Sequence, residues 1–139
     1  MIIEKLRQQD VLQAVALQQQ IVPYYINPDC AVKQYEAMVH REDCRVLVAR
    51  DGDDILGTVS GFCCHGLGGS FLAIEDLIVR EDLRGGGIGT KLMAAIDDFG
   101  RSQGCVYALL VSSGFRKRAH QFYERIGYIE EVRGFRKDL

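Results

Sequence analysis

The chain has 139 residues, 47% hydrophobic and 26% charged, with a net charge of −2. This composition fits one globular domain, residues 1–139, able to bury roughly two-thirds of its unfolded surface. The balanced charge excludes a polybasic footprint for nucleic acid or an anionic membrane. No apolar run approaches the about 18 residues of a membrane span. Charges also interrupt the start MIIEKLRQQD where a secretory leader needs an apolar core, so the cytoplasm is the expected compartment. Cys30, Cys44, Cys63, Cys64 and Cys105 show neither a CxxC pair nor a Cys/His ligand spacing. They read as reduced structural thiols, and no metal site is expected.

In chain order, MIIEKL (1–6) predicts a first strand. Asp10 is placed to cap a helix through VLQAVALQQQ, with Val11, Leu12, Val15 and Ala16 on one face. PYYINPDC (23–30) contains both prolines and reads as a loop, followed by a weaker helix over 31–41. RVLVAR (45–50), the turn DGDD and ILGTVSGFCC (55–64) predict a β-hairpin. HGLGGS (65–70) is a second turn, leading into FLAIEDLIV (71–79), a central strand interrupted only by Glu75 and Asp76. Residues 88–104 carry Ile88, Leu92, Ala95, Ile96 and Phe99 at helical spacing, with Gly104 at the helix end. VYALLV (106–111) reads as a buried strand and RKRAHQFYERIG (116–127) as a short helix. YIEEVRGFRKDL (128–139) reads as one or two closing strands, either completing the chain's own sheet or pairing across a homodimer. Hairpins in the middle imply antiparallel pairing, and the helix between 71–79 and 106–111 implies a parallel crossover. The sum is a mixed α/β fold around a central mixed sheet.

The junction VREDLRGGGIGTKLM places four glycines in five positions where a helix must begin. Glycine costs about 1 kcal/mol against alanine inside a helix. Bare backbone at a helix start suits an anion: the first amides lack internal partners, and glycine lets a ligand approach them. Charged hydrogen bonds at about 1.5–3 kcal/mol each outweigh the dipole term of about 0.3–1 kcal/mol. Arg84 adds a guanidinium fork beside Gly85, Gly86, Gly87, Ile88, Gly89 and Thr90. No GxxxxGK[ST] string is present, and GxGxxG fails from either Gly85 or Gly87, which disfavours P-loop and dinucleotide-binding domains. The pattern that does occur is Arg-x-x-Gly-x-Gly, residues 84–89.

IEDLIVREDLRGGGIGTKLM resembles the acetyl-CoA-binding segment of the GCN5-related N-acetyltransferases (GNAT), and AHQFYERIGY resembles that family's later AxxFYxxxGF segment with Tyr128 in place of Phe. The element order is similar over nearly the whole chain. SSGFRK (112–117) lacks the Asn that many members carry after the fifth strand. The resemblance implies a GNAT fold whose mixed, mostly antiparallel sheet is flanked by helices. It implies that the turn amides bind the cofactor pyrophosphate and that Leu77, Ile78 and Val79 meet the pantetheine arm. A backbone amide near Ile78 or Val79 would then face the oxyanion.

Glu75 and Asp76 are costly in an apolar strand unless paired or functional. Strand alternation predicts that they face opposite sides. The family often places a base on this strand, and the IED string matches a subset that includes glucosamine-phosphate acetyltransferases. Glu75 is therefore the first candidate base and Asp76 the second; the alternative is that they cap backbone or pair with an Arg. Tyr123 falls on the family tyrosine that protonates the leaving thiolate, with a core aromatic as the other reading. His120 is a weaker acid/base candidate, and Arg116, Lys117 and Arg118 could meet the 3′-phosphate or solvent. The resemblance puts the acceptor beside Tyr24, Tyr25, Asn27 and the 65–70 turn. The function expected is acetyl transfer from acetyl-CoA to a primary amine of a small molecule. A peptide or protein amine acetyltransferase and a non-catalytic CoA-binding module are the alternatives.

Overall fold

The computed structural model describes residues 1–139. Its backbone forms two compact units, Met1–Leu109 and Leu110–Leu139.

In the first unit the order is β1 (Ile2–Lys5), α1 (Val11–Gln18), α2 (Pro28–Met38), β2 (Cys44–Asp51), β3 (Asp54–Gly66), β4 (Gly69–Val79), α3 (Ile88–Ser102) and β5 (Ala108–Leu109). Short 3₁₀ turns lie at Gln8–Asp10 and Glu81–Leu83. The five strands lie in sequence order, antiparallel from β1 to β4, with β5 parallel to β4. No helix is long and apolar enough to cross a membrane.

The two sheet faces are covered by different helices. Gly57 and Gly61 on β3 and Gly100 on α3 let helix and sheet approach: added β-carbons would meet Ile78 O at 2.7 Å, Ile96 Cγ1 at 2.7 Å and Leu72 Cδ2 at 2.8 Å. Ile88, Leu92, Met93, Ile96 and Phe99 fill that layer. Opposite it, Ala14 and Leu17 of α1 join Val48, Ile55 and Ile78, with Leu6 and Ile21 packed alongside. Gly104, at φ +78, ends α3 as expected of a left-handed cap.

Several expectations change. α2 begins at Pro28, so the last three residues of the expected loop are helix; Asn27 caps it by accepting from the Asp29 amide at 2.9 Å, and proline is tolerated at the first position. α1 buries Val11, Ala14 and Leu17 rather than Leu12 and Ala16, because contact with the β2–β4 surface selects among several apolar stripes. The 106–111 strand contracts to Ala108–Leu109, with Val106, Tyr107 and Val111 exposed. Asp10 occupies the N-cap position of α1 but makes no side-chain cap. Its carboxylate instead pairs with buried Arg50, whose Nε also donates to Glu4 at 2.7 Å.

In the second unit, α4 (Lys117–Arg125) ends at Gly127, whose φ is +101. His120 Nε2 lies 2.9 Å from Ser113 O. Tyr123 makes edge contacts with Phe122 and Tyr128, at 5.4 and 6.1 Å between centroids. The closing strands expected over 128–139 do not form: this stretch has no ladder partner and exposes Ile129, Val132, Phe135 and Leu139. Its alternation of apolar and charged residues carries the strand pattern, but alternation alone does not make a ladder.

Asp10→Asn separates the two roles of Asp10. Asparagine caps as well as aspartate, whereas weakening a buried ion pair costs several kcal/mol. We expect a loss of about 3 kcal/mol in urea unfolding; an unchanged midpoint would return Asp10 to a capping role.

Candidate active site

β4 carries the expected catalytic carboxylates, and its register explains their geometry. Thr58 pairs with Ile78 and Ser60 with Glu75, so the single residue Val59 faces both Asp76 and Leu77. This is a β-bulge on β4. Asp76 adopts φ +56, the one non-glycine residue with positive φ. Such a conformation costs of order 1–3 kcal/mol and persists only when its surroundings enforce it. Two hydroxyls do so: Thr58 Oγ1 donates to Asp76 O at 3.1 Å, and Ser60 hydrogen-bonds the Asp76 carboxylate. Thr58 and Ser60 are themselves buried.

The bulge overturns the expected alternation. Glu75 sits across from Ser60, and Asp76 reaches the same Ser60, so both carboxylates share one face. Both keep an exposed surface, yet enough protein surrounds the carboxyl groups to raise their pKa values. Burial is the larger cause for Glu75, and the nearby Asp76 charge adds to it. Burial likewise raises Asp76, opposed by the Ser60 hydrogen bond. A carboxylate whose pKa is raised toward neutrality makes a stronger base.

The β4–β5 ladder stops at Leu72↔Ala108 and Ala73↔Leu109. The rest of β4 borders β3 alone: Ile78 and Val79 pair with Thr58 and Gly57, and Leu77 lies in the bulge. After Val79 the chain passes through Glu81–Leu83 into the glycine turn. Arg84 Nε donates to Val79 O at 3.2 Å, tying the turn to the strand end. Gly85 and Gly87 take φ +87 and +83, and nothing lies within 4 Å of where their β-carbons would stand. Gly87 is the N-cap of α3 and offers no side-chain cap. The first amide bonded back into the helix is that of Lys91, to Gly87 O at 3.1 Å, so the amides of Ile88, Gly89 and Thr90 lack helical acceptors. Gly85, Gly86, Gly87 and Thr90 are exposed, Gly89 partly so, and Ile88 anchors the turn in the core. This donor set fits a phosphate or diphosphate.

Tyr24 and Tyr25 are exposed on the α1–α2 connection. Gln19 holds that loop, donating to Tyr24 O and accepting from the Ile26 amide, both at 2.8 Å. Ile21, at the loop's start, packs against the cluster that contains Ile78. On the β3–β4 hairpin, His65 Nδ1 lies 2.8 Å from Ser70 Oγ. Sequence reasoning missed Thr58 and Ser60; their signal is two hydroxyls on one face of the apolar run ILGTVSGF (55–62), on the strand that the hairpin folds back against IED (74–76).

The chain matches the Acetyltransferase (GNAT) family over residues 11–128. It belongs to that family. A stretch of 66 residues is 36% identical to glucosamine 6-phosphate N-acetyltransferase of Trypanosoma brucei brucei, covering 48% of this chain. The chain spans 43% and 60% of the lengths of two curated relatives. Among solved structures it is similar to a transcriptional regulator from Bacillus halodurans, with TM-score 0.92, 22% identity and coverage of 99% of both chains. It is similar also to glucosamine-6-phosphate N-acetyltransferase from Arabidopsis thaliana, with TM-score 0.85, 23% identity and coverage of 99% and 97%. At these identities the structures show the shared fold: a five-stranded mixed sheet with four helices.

Asp76→Asn removes a negative charge beside Glu75. The ionised form of Glu75 then becomes less costly, and its pKa falls. NMR titration of the Glu75 side-chain carboxyl measures the shift; an unmoved or raised pKa would contradict the coupling.

Proposed function

We propose that the protein, with residues 1–139 acting as one catalytic unit, transfers the acetyl group of acetyl-CoA to a primary amine of a small molecule. The observation that carries this reading is the continuity of β4 with the exposed amides of the glycine turn. A strand half-free of its β5 partner leads directly into an anion cradle. Gly85, Gly86, Gly87, Ile88, Gly89 and Thr90, with Arg84, would hold the pyrophosphate. The backbone of Leu77, Ile78 and Val79 would align the pantetheine arm, with an amide near Ile78 or Val79 facing the developing oxyanion. Positioning of this kind can supply about 7–11 kcal/mol of a barrier, more than any single side chain.

Glu75 is the proposed base: it takes a proton from the acceptor ammonium so that the free amine attacks the thioester carbon. Asp76 raises its basicity and is the second candidate. Tyr123, in the segment AHQFYERIGY that resembles the family's later motif, is the proposed proton donor to the departing thiolate. Tyr24, Tyr25 and Asn27 would contact the acceptor. The small-molecule class is supported by the glucosamine 6-phosphate N-acetyltransferase relative.

The test is thiol release from acetyl-CoA over a panel of amino sugars, polyamines and peptides. We expect turnover on a small amine and none in Gly87→Glu, which places bulk and negative charge in the cradle. Cofactor binding without turnover on any amine would favour a CoA-binding module; peptide-only turnover would overturn the acceptor class. Glu75→Gln should lower the rate by about 10²–10⁴-fold, and Tyr123→Phe should slow the step in which thiolate leaves.

Glu75→Gln also has a stability signature. Because the folded-state pKa of Glu75 is raised, its ionisation opposes folding. That penalty is absent below the unfolded value near about pH 4 and complete above the folded value. The Gln variant should therefore melt no lower than wild type at pH 7, and any gain should vanish below about pH 4. A marked loss of melting temperature at pH 7 would make Glu75 a structural residue.

A further inference from the structure

We propose that Cys63 and Cys105 form an oxidisable dithiol, a modification site at which a hydroperoxide converts two thiols into one reversible disulfide. The inference is independent of the acetyl-transfer reading.

All five cysteines are free, and two of them meet: Cys105 Sγ lies 3.4 Å from Cys63 Sγ, across 42 residues of sequence. A disulfide needs about 2.05 Å between sulfurs, and these two sulfurs already stand in contact. Both backbones are held in place. Cys63 lies inside β3, paired with Leu72, and its amide donates to Asp43 O at 2.7 Å. Cys105 follows α3; its amide donates to Gly100 O at 3.0 Å, and the next amide, Val106, donates to Ser70 O at 2.9 Å. The contact therefore joins two fixed points of one unit.

The two sulfurs differ in access, which assigns their order. Cys105 is partly exposed and Cys63 is buried. Burial and the neighbouring Cys105 push the Cys63 thiol up to about 12, so Cys63 stays protonated at neutral pH. Cys105 is the sulfur a hydroperoxide reaches. Its thiolate attacks the peroxide: the S–O bond forms, the O–O bond breaks, and water departs once protonated. The Cys63 sulfur then attacks the sulfenic sulfur; the S–S bond forms, the S–O bond breaks, and the Cys63 proton leaves with the second water. Two thiols lose two electrons and two protons, and hydrogen peroxide becomes two waters. A small thiol reverses the reaction by exchange. The other cysteines lack this geometry: Cys44 Sγ faces Met38 O at 3.5 Å, and Cys64 Sγ faces Phe62 O at 3.7 Å.

The product would staple β3 to the segment that enters β5. Residues Cys63, Leu72 and Ala108 stand in one row across β3, β4 and β5, and Cys105 lies just before that row. The bond would thus fix the root of the short β4–β5 ladder.

The test uses the full chain, reduced, treated with hydrogen peroxide, then alkylated and mapped by mass spectrometry. We expect a Cys63–Cys105 linkage, 2 Da lighter than the dithiol, formed intramolecularly and erased by dithiothreitol. The oxidised protein should melt at a higher temperature. Cys64→Ser should keep the linkage and Cys105→Ser should abolish it; the wild-type map decides the matter even if a variant folds poorly. Cys105 passing to sulfinic acid without a linkage, or a linkage through Cys64 or Cys30, would overturn the proposal.

Discussion

One extra residue in β4 organises the site. Without the Asp76–Leu77 bulge, Glu75 and Ile78, three positions apart, would point to opposite faces. With it, Ile78 joins Ala14 and Leu17 in the core beneath α1 while Glu75 opens on the same side beside Asp76. The bulge thus reconciles a packed strand with a pair of carboxylates. Its left-handed residue is held by Thr58 and Ser60, buried hydroxyls whose own hydrogen-bonding needs the arrangement satisfies. A strained backbone, two like charges side by side and raised carboxylate pKa values all lie within two residues. Such features gather where a chain trades stability for chemistry.

The glycine turn is the second constraint, and it depends on the first. β4 must end in a fixed direction for the α3 N-terminus to present its amides, and the Arg84–Val79 hydrogen bond ties strand end to turn. Close packing then holds α3 in place. Gly57, Gly61 and Gly100 permit an approach that any side chain would block, while Ile88 and Leu92 anchor the first turns. The two groups of glycines therefore serve different ends: those in the sheet and helix make room for protein, and those at 85–87 leave backbone open to a ligand.

Much of this was legible in the residues. α3 showed a regular apolar stripe, the hairpins carried glycine turns, and the cradle stood out because four glycines there contradict helix propensity. The bulge was not legible, because a period of two has no mark for one inserted residue; only the register with β3 reveals it. Asp10 read as a cap because its position is that of a cap, and its partner Arg50 lies 40 residues away. The 128–139 tail alternates like a strand, but a strand needs an edge to pair with, and alternation alone supplies none. Nothing in the sequence marks Thr58 and Ser60 as partners of Asp76; the fold brings them to it.

The most direct measurement is an amide-resolved NMR titration of the full chain with coenzyme A. Large shifts at Gly85–Thr90, continuing along Leu77–Val79 and saturating together, are the expected result. Saturable binding that leaves those amides unmoved, or no binding at all, would mean that the glycine turn only connects β4 to α3 and that the functional reading fails at its base.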